Sequence, residues 1–217
     1  MSEASTLELR EQFATPAQQR ETASVGMWVF LASEIMMFGG LFLAYTVYRL
    51  SHPHAFNIGS SEMTLVIGSV NTAVIICSSF TMALAVYSQG TGHQKRTAVL
   101  LLLTMFIGVI FLSLKFTEYF IHYDEHKVPG IWWEHAGPDA GQIQMFYVFY
   151  FIMTGLHVIH MSIGLGLLFW TLIRTLLGHF NTEYYTPLEI VGVYWSFVDC
   201  IWIFLYAVLY IPGMHLR

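Results

Sequence analysis

Charge is scarce in this sequence. Of 217 residues only 11% are Asp, Glu, Lys or Arg, while 56% are apolar and the mean hydropathy is +0.59. Soluble domains carry about 25% charged residues. A soluble fold of this size would have too few charges to coat its surface, which excludes a disordered chain and a typical cytosolic enzyme. Basic runs are absent and the formal net charge is -5. Nothing can follow a phosphate backbone, so a nucleic-acid partner is excluded as well. Cysteine is nearly missing: Cys77 and Cys200 each stand alone in an apolar run. There is no C-x-x-C-H for haem attachment and no close cysteine pair for copper or zinc. G-x-S-x-G, P-loop and H-E-x-x-H patterns are missing too.

Long apolar runs are what the sequence has instead. A run of about 20 apolar residues crosses a bilayer as a helix, because backbone groups in lipid must bond within their own segment. Five such runs are predicted, at about 26–48, 63–87, 97–120, 144–173 and 190–211, with Pro212-Gly213 stopping the last. The expected fold is all-α, an integral membrane bundle of five transmembrane helices over 25–213 behind a polar tail, 1–24. That tail is mixed in charge and does not read as a cleaved leader, so the first span is expected to serve as the insertion signal. Arg10, Arg20, Lys95, Arg96 and Arg174 fall on one side, and Arg49, Lys127 and Arg217 on the other. The excess favours a cytoplasmic N-terminus and an external C-terminus. The loop 121–142 is then external and acidic (Asp124, Glu125, Glu134, Asp139), with His122, His126 and His135 and a Trp132-Trp133 pair suited to an interfacial belt.

Few residues inside the spans carry chemistry. Glu34 lies about 12 Å into span one by helical rise, and a lone carboxylate at that depth marks a functional site. It reads either as a proton-handling group or as a protonated acid bonded to a neighbouring helix. His157 and His160, three apart, share a helix face. They could hold a metal with a carboxylate from another helix, but no Glu-x-x-His occurs in any span. Bonding to other helices, a partner chain or a lipid headgroup is the preferred reading. Asp199 is the other deep carboxylate, and pairing with a histidine of span four would satisfy both groups. Lys115 and Glu118 read as a same-face ion pair at the membrane edge, or as side chains snorkelling to the headgroups. Arg174 is placed to contact a lipid phosphate. Asn71, Thr72, Ser78 and Ser79 form a polar stripe of the kind that joins membrane helices.

Taken together, these segments resemble a known family. Gly26-Met-Trp-Val-Phe-Leu-Ala-Ser-Glu34, continuing to Ala44-Tyr45, resembles the third helix of subunit III of haem-copper cytochrome c oxidases. Asn71-Thr72 with Ser78-Ser79, Lys115-Phe-Thr-Glu118-Tyr119, Phe151-Ile-Met-Thr-Gly-Leu-His157-Val-Ile-His160 and Tyr194-Trp195-Ser196-Phe197-Val198-Asp199 resemble its later helices, in order. The resemblance implies a non-catalytic subunit beside subunits I and II, with haem and copper in those partners and no cofactor in this chain beyond bound phospholipid. It implies support of proton uptake and of the stability of subunit I in aerobic electron transport. The implied setting is a bacterial cytoplasmic membrane, with other respiratory-chain complexes as further candidate partners. Glu34 matches the family's buried, carbodiimide-reactive glutamate. His157, His160, Asp199, Lys115 and Glu118 match positions with structural or lipid-related roles, and Trp28 and Arg174 are candidate lipid contacts. Two departures stand out. The first two helices of seven-helix members are lacking, and Ser196 replaces the histidine of the usual Tyr-Trp-His-Phe-Val-Asp. Glu34 leans toward the cytochrome c branch. The rival readings are an accessory subunit of a quinol oxidase or nitric oxide reductase, a small proton-coupled transporter using Glu34, and a metal enzyme at His157 and His160.

Overall fold

The computed structural model describes residues 13, 15–130, 133, 137, 139–180, 182 and 184–214. Six helices run in the order α1 (Pro16–Ser51), α2 (Pro53–Ser61), α3 (Leu65–Gly90), α4 (Gln94–Asp124), α5 (Ala140–Leu176) and α6 (Thr186–Leu209). There is no strand among the described residues. All but α2 are long and apolar enough to cross a membrane. This bears out the five-span bundle. Trp132, Glu134 and His135 of the acidic loop, Arg217, and Glu3, Glu8, Arg10 and Glu11 of the tail lie outside the described residues.

Helix ends shift from the hydropathy reading throughout, and both ends of α1 do so for a local reason. Helix α1 begins ten residues before its apolar run. Thr15 caps it by accepting the Gln18 N–H at 3.2 Å, and Pro16 sits at the first helical position, where its missing N–H costs nothing. The polar start is tied down by Arg20, whose guanidinium meets the Glu189 carboxylate of α6 at 2.8 Å. At the far end Pro53 forces His52 out of helical geometry (φ -134°, ψ 59°), and the chain restarts as α2. This nine-residue helix was not expected from hydropathy. It buries Ala55, Phe56, Gly59 and Ser60. Phe56 stacks edge-on against Tyr45 of α1 and Phe146 of α5, at 5.3 and 5.8 Å between ring centres.

Helices α3, α4, α5 and α6 form a closed bundle in which α3 meets α4 and α6, and α5 meets α4 and α6. Its centre is aromatic, with Trp195, Trp202, Tyr147, Tyr150 and Phe111 fully buried. The predicted polar stripe of α3 does join helices. The Trp195 indole N–H donates to Ser78 Oγ at 2.9 Å, the Trp202 N–H to Thr72 Oγ1 at 3.2 Å, and Ser79 Oγ to the Asp199 carboxylate. Gly108 of α4 and Gly164 of α5 let the Trp195 ring slot between them, since a Cβ on either would lie 3.0 Å from the indole. Helix α1 lies outside this bundle against α5 and α6. Only 11% of its apolar stretch is buried, against 50% for α6.

Candidate functional site: a carboxylate–imidazole pair beside an apolar cleft

The loose packing of α1 creates the site. Where its first half separates from α5 and α6, a cleft of about 600 Å³ opens, with Met27, Phe30, Ile163, Leu167, Trp170 and Tyr194 among its walls. Glu34 and His160 form part of its lining. Glu34 Oε2 lies 2.9 Å from His160 Nε2, and their side chains are 15% and 11% exposed. The other ring nitrogen, Nδ1, is 2.8 Å from the Leu156 carbonyl. A carbonyl only accepts, so Nδ1 carries a hydrogen. Either the neutral ring then accepts a proton shared by a carboxylic acid at Glu34, or an imidazolium faces the Glu34 carboxylate. In both cases one proton sits between the two facing atoms. Phe38 packs edge-on against the His160 ring at 5.4 Å, and the Tyr194 hydroxyl donates to the His160 carbonyl at 3.0 Å. The ring is therefore held by Leu156, Glu34 and Phe38, and the His160 backbone by Tyr194.

Asp199 does not pair with a histidine of span four, contrary to expectation. His157 and His160 are one turn apart, yet their rings end in different surroundings. His160 reaches α1. His157 turns into the bundle, donates Nε2–H to the Val198 carbonyl at 3.1 Å, and packs against Phe111 and Trp202. Asp199 takes its hydrogen bond from Ser79 on the α3 side of α6. The acid that finds a histidine is Glu34. Ser196, in place of the usual histidine, is exposed. No group of three or more His, Cys, Asp or Glu side chains is placed to hold a metal among the described residues. With His157 bonded to backbone and wedged between aromatic rings, the two histidines do not converge on one ion.

Lys115 and Glu118 do not snorkel. Both side chains are wholly buried, with Nζ and Oε2 2.8 Å apart. Lys115 Nζ also donates to the hydroxyls of Tyr150 (α5) and Tyr210, each at 2.9 Å, and the Tyr210 hydroxyl donates to Glu118 Oε1 at 2.7 Å. The ammonium lies 4.5 Å from the Tyr150 ring centre. Two tyrosines from other helices thus supply what headgroups and water would have supplied. Trp28 is 65% exposed and lines a smaller recess with Glu189 that adjoins the main cleft and shares Arg20, Met27, Thr186 and Ile190 with it. Arg174 rests over Trp170, 5.3 Å from the ring centre, just beyond the cleft wall.

Comparison with known proteins decides what frame this geometry belongs to. Residues 138–214 match the family described as cytochrome c oxidase subunit III. The chain is 33% identical over 187 residues to the probable cytochrome c oxidase subunit 3 of Nocardia farcinica, covering 86% of each chain. It is 31% identical over 188 residues to the cytochrome c oxidase subunit 3 of Thermostichus vulcanus, again covering 86% of each. The probable quinol oxidase subunit 3 of Staphylococcus saprophyticus is 27% identical over 190 residues, 88% of this chain and 89% of that one. The chain belongs to the cytochrome c oxidase subunit III family. It is the accessory subunit III of a haem-copper oxidase.

Several partners in this subunit III were not legible beforehand. Tyr150 and Tyr210, 60 residues apart in the sequence, were two tyrosines among 12. At one end of the bundle Lys127 Nζ meets Glu125 at 2.7 Å and Glu62 at 3.3 Å, and the Tyr147 hydroxyl donates to Glu62 at 2.9 Å. Burial alone would lower the Lys127 pKa, but the hydrogen bond it donates to Glu125 and the charge of Glu62 outweigh it and raise it. Trp133 lies against Tyr147, 5.5 Å between ring centres. An acidic residue just ahead of an apolar helix, such as Glu62, was the available signal for this cluster.

Proposed function

We propose that this chain is the non-catalytic subunit III of a bacterial oxidase of the cytochrome c type, that it holds a phospholipid chain in the α1/α5/α6 cleft, and that the Glu34–His160 pair supports proton uptake by the catalytic subunit. The observation that carries this reading is the placement of a one-proton carboxylate–imidazole pair in the wall of an open apolar cleft. Apolar walls of that length suit an acyl chain, and Arg20 at the cleft suits a headgroup phosphate. The haems and copper belong, in this reading, to subunits I and II, which cover α1. The cleft is completed by such a neighbour, because α1 offers it only one wall.

The cytochrome c branch is favoured by the higher identity to relatives so named, 33% and 31% against 27% for the quinol-oxidase relative. Placement in the bacterial inner membrane with a cytoplasmic N-terminus follows the excess of Arg20, Lys95, Arg96 and Arg174 over Arg49 and Lys127 among the described residues.

The test is isolation of the chain from its native membrane in mild detergent, with a reduced-minus-oxidised spectrum of the material. An a-type haem signal with a copper-bearing second subunit supports the reading. A partner lacking that copper centre moves the chain to the quinol branch, and a colourless chain alone overturns the assignment of partners. Glu34→Gln then tests the pair. Turnover-dependent inactivation should accelerate and proton uptake should slow, while the haem spectrum stays unchanged. An unaltered lifetime and uptake rate would remove Glu34 from any functional role.

A further inference from the structure

One buried titratable side chain has no part in the site above. His122 lies in the last turn of α4 and is 1% exposed. Neither ring nitrogen has a hydrogen-bond partner among the described residues. The ring stands edge-on to Tyr147 and Tyr150 of α5, at 5.6 and 5.4 Å between centres. Aromatic rings thus surround it where polar atoms are needed. A neutral imidazole carries one N–H and one lone pair. His122 therefore buries a donor and an acceptor unsatisfied, an arrangement that is rare and costly. An apolar side chain of that size would pack there without the cost. What the imidazole adds is the capacity to take a proton.

The acceptor for that proton's bond is close but turned away. Glu125 Oε2 lies 3.8 Å from His122 Nδ1, too far for a hydrogen bond. Lys127 Nζ holds the same oxygen at 2.7 Å and also meets Glu62 at 3.3 Å. One carboxylate oxygen thus stands between two nitrogen bases. The Glu125 side chain is 45% exposed and has room to turn. The charged groups that face the ring from α4 and the segment after it are Glu118, Lys115, Lys127 and Glu125. From α5 come the tyrosines, whose hydroxyls are engaged by Glu62 and Lys115. From the end of α2 comes Glu62 itself. Three carboxylates (Glu62, Glu118, Glu125) against two ammonium groups (Lys115, Lys127) leave one negative charge uncompensated around a neutral ring. A proton on His122 makes the cluster neutral, which a weakly screened setting favours.

We propose that His122 is a proton-operated switch at this end of the bundle: with a neutral ring Glu125 stays on Lys127, and when the ring takes up a proton Glu125 turns onto the imidazolium, leaving Lys127 to Glu62 alone. Glu125 is the exposed member, so a proton from solution passes through its carboxyl to Nδ1, and the regenerated carboxylate accepts the new N–H. Lys127 ties the chain after α4 both to Glu125 and to Glu62, so losing one tie loosens residues 124–128. Acid on that side of the membrane therefore softens the exit from α4. In the reading above that side is external. The switch itself rests on side-chain geometry and holds whichever way the chain is inserted.

The test is NMR of the full chain in detergent micelles, its histidines labelled with carbon-13 at Cε1, titrated between pH 8 and 4.5. The signal missing from His122→Gln is that of His122. It should titrate within the range, and Glu125→Gln should weaken proton binding about tenfold, the scale of one nearby counter-charge. Backbone hydrogen exchange over 124–128, corrected for the intrinsic effect of pH, reads the movement. Protection in the wild type should fall about fivefold as the ring takes its proton, the scale of one partly solvated ion pair. In Glu125→Gln, an exposed site whose change keeps the fold, protection should be low at both ends of the range, as it should in Lys127→Met. A His122 ring that does not titrate would overturn the proposal. So would a ring that titrates while protection over 124–128 stays constant, since it would feel the charge of Glu125 without moving it. Neither readout depends on the oxidase partners, so failure of that reading leaves the test intact.

Discussion

Two carboxylates in this chain face a nitrogen base inside the membrane, and they are treated in opposite ways. Glu118 is wholly buried with Lys115, and two tyrosine hydroxyls use up the remaining hydrogen-bonding capacity of the pair. Glu34 meets His160 at nearly the same distance, 2.9 against 2.8 Å, but at the lip of an open cleft and on the least buried helix. The first arrangement crosslinks α4, α5 and the end of α6, and nothing can reach it. The second is reachable from a lipid or a partner chain. Both are glutamates, Glu118 near the end of its span and Glu34 about 12 Å into its own. What separates the sealed acid from the open one is how many neighbours close around it.

The largest expected effect comes from breaking the sealed pair from one side. Lys115→Met leaves Glu118 buried without its counter-charge, and Glu118→Gln does the converse. Loss of one partner of a buried pair costs about 3–5 kcal/mol, so either variant should fail to accumulate or lose its fold at much lower temperature. The double variant Lys115→Met/Glu118→Gln should recover much of that loss, as read by thermal aggregation of the purified subunit. If either single change is silent, the sealed pair is not what holds the three helices together. Tyr210→Phe is milder, removing the hydroxyl that links Lys115 to Glu118. It should cost about 1–3 kcal/mol, the desolvation of a group left unpaired.

Much of this was legible from sequence, and the limits are instructive. Five spans followed from hydropathy, because an apolar run of 20 residues admits one conformation in lipid. The polar stripe of α3 was read correctly as a helix joint, since Thr72, Ser78 and Ser79 have no other use on a membrane helix. Glu34 stood out because it is alone in its span. The partner of Glu34 was missed because His160 was weighed against Asp199, and spacing along one helix does not say which neighbour a ring meets. Lys115 was given a snorkelling alternative because its position near a span end is visible in sequence, whereas Tyr150 and Tyr210 closing over it is not. Helix α2 was missed because nine residues of middling polarity carry no hydropathy signal. Its position follows from Pro53 and from the pocket for Phe56.

The open pair should respond differently from the sealed one. Glu34→Gln retains a hydrogen-bonding side chain at a partly exposed site, so the expected stability loss is small, about 1 kcal/mol or less. The sharper contrast is chemical. A hydrophobic carbodiimide needs a protonated carboxyl that it can reach through lipid. It should label Glu34 and leave Glu118 untouched, and His160→Leu should change the pH profile of that labelling by removing the base that shares the proton. Peptide mapping of the labelled subunit checks this directly. Equal labelling of the two glutamates would erase the distinction between sealed and open.

The smallest effect belongs to a third acid–base group that lies outside the membrane spans and so calibrates the other two. Lys127 is held by Glu125 and Glu62, and its pKa is raised above the ordinary 10.5 despite partial burial. A raised value in the folded state means the ammonium is bound more tightly there than in the unfolded chain. Its contribution is fully present below the unfolded value and is lost as pH rises through the folded one. Lys127→Met should therefore cost about 1 kcal/mol or less from pH 6 to 10, the scale of a solvated ion pair. The gap between wild type and variant should close only above about pH 10.5. A constant gap across that range would mean the side chain acts through packing of its stem and not through charge. Added salt should narrow the Lys127 gap at neutral pH and leave the Lys115 gap unchanged, because screening reaches an exposed pair and not one sealed by tyrosines.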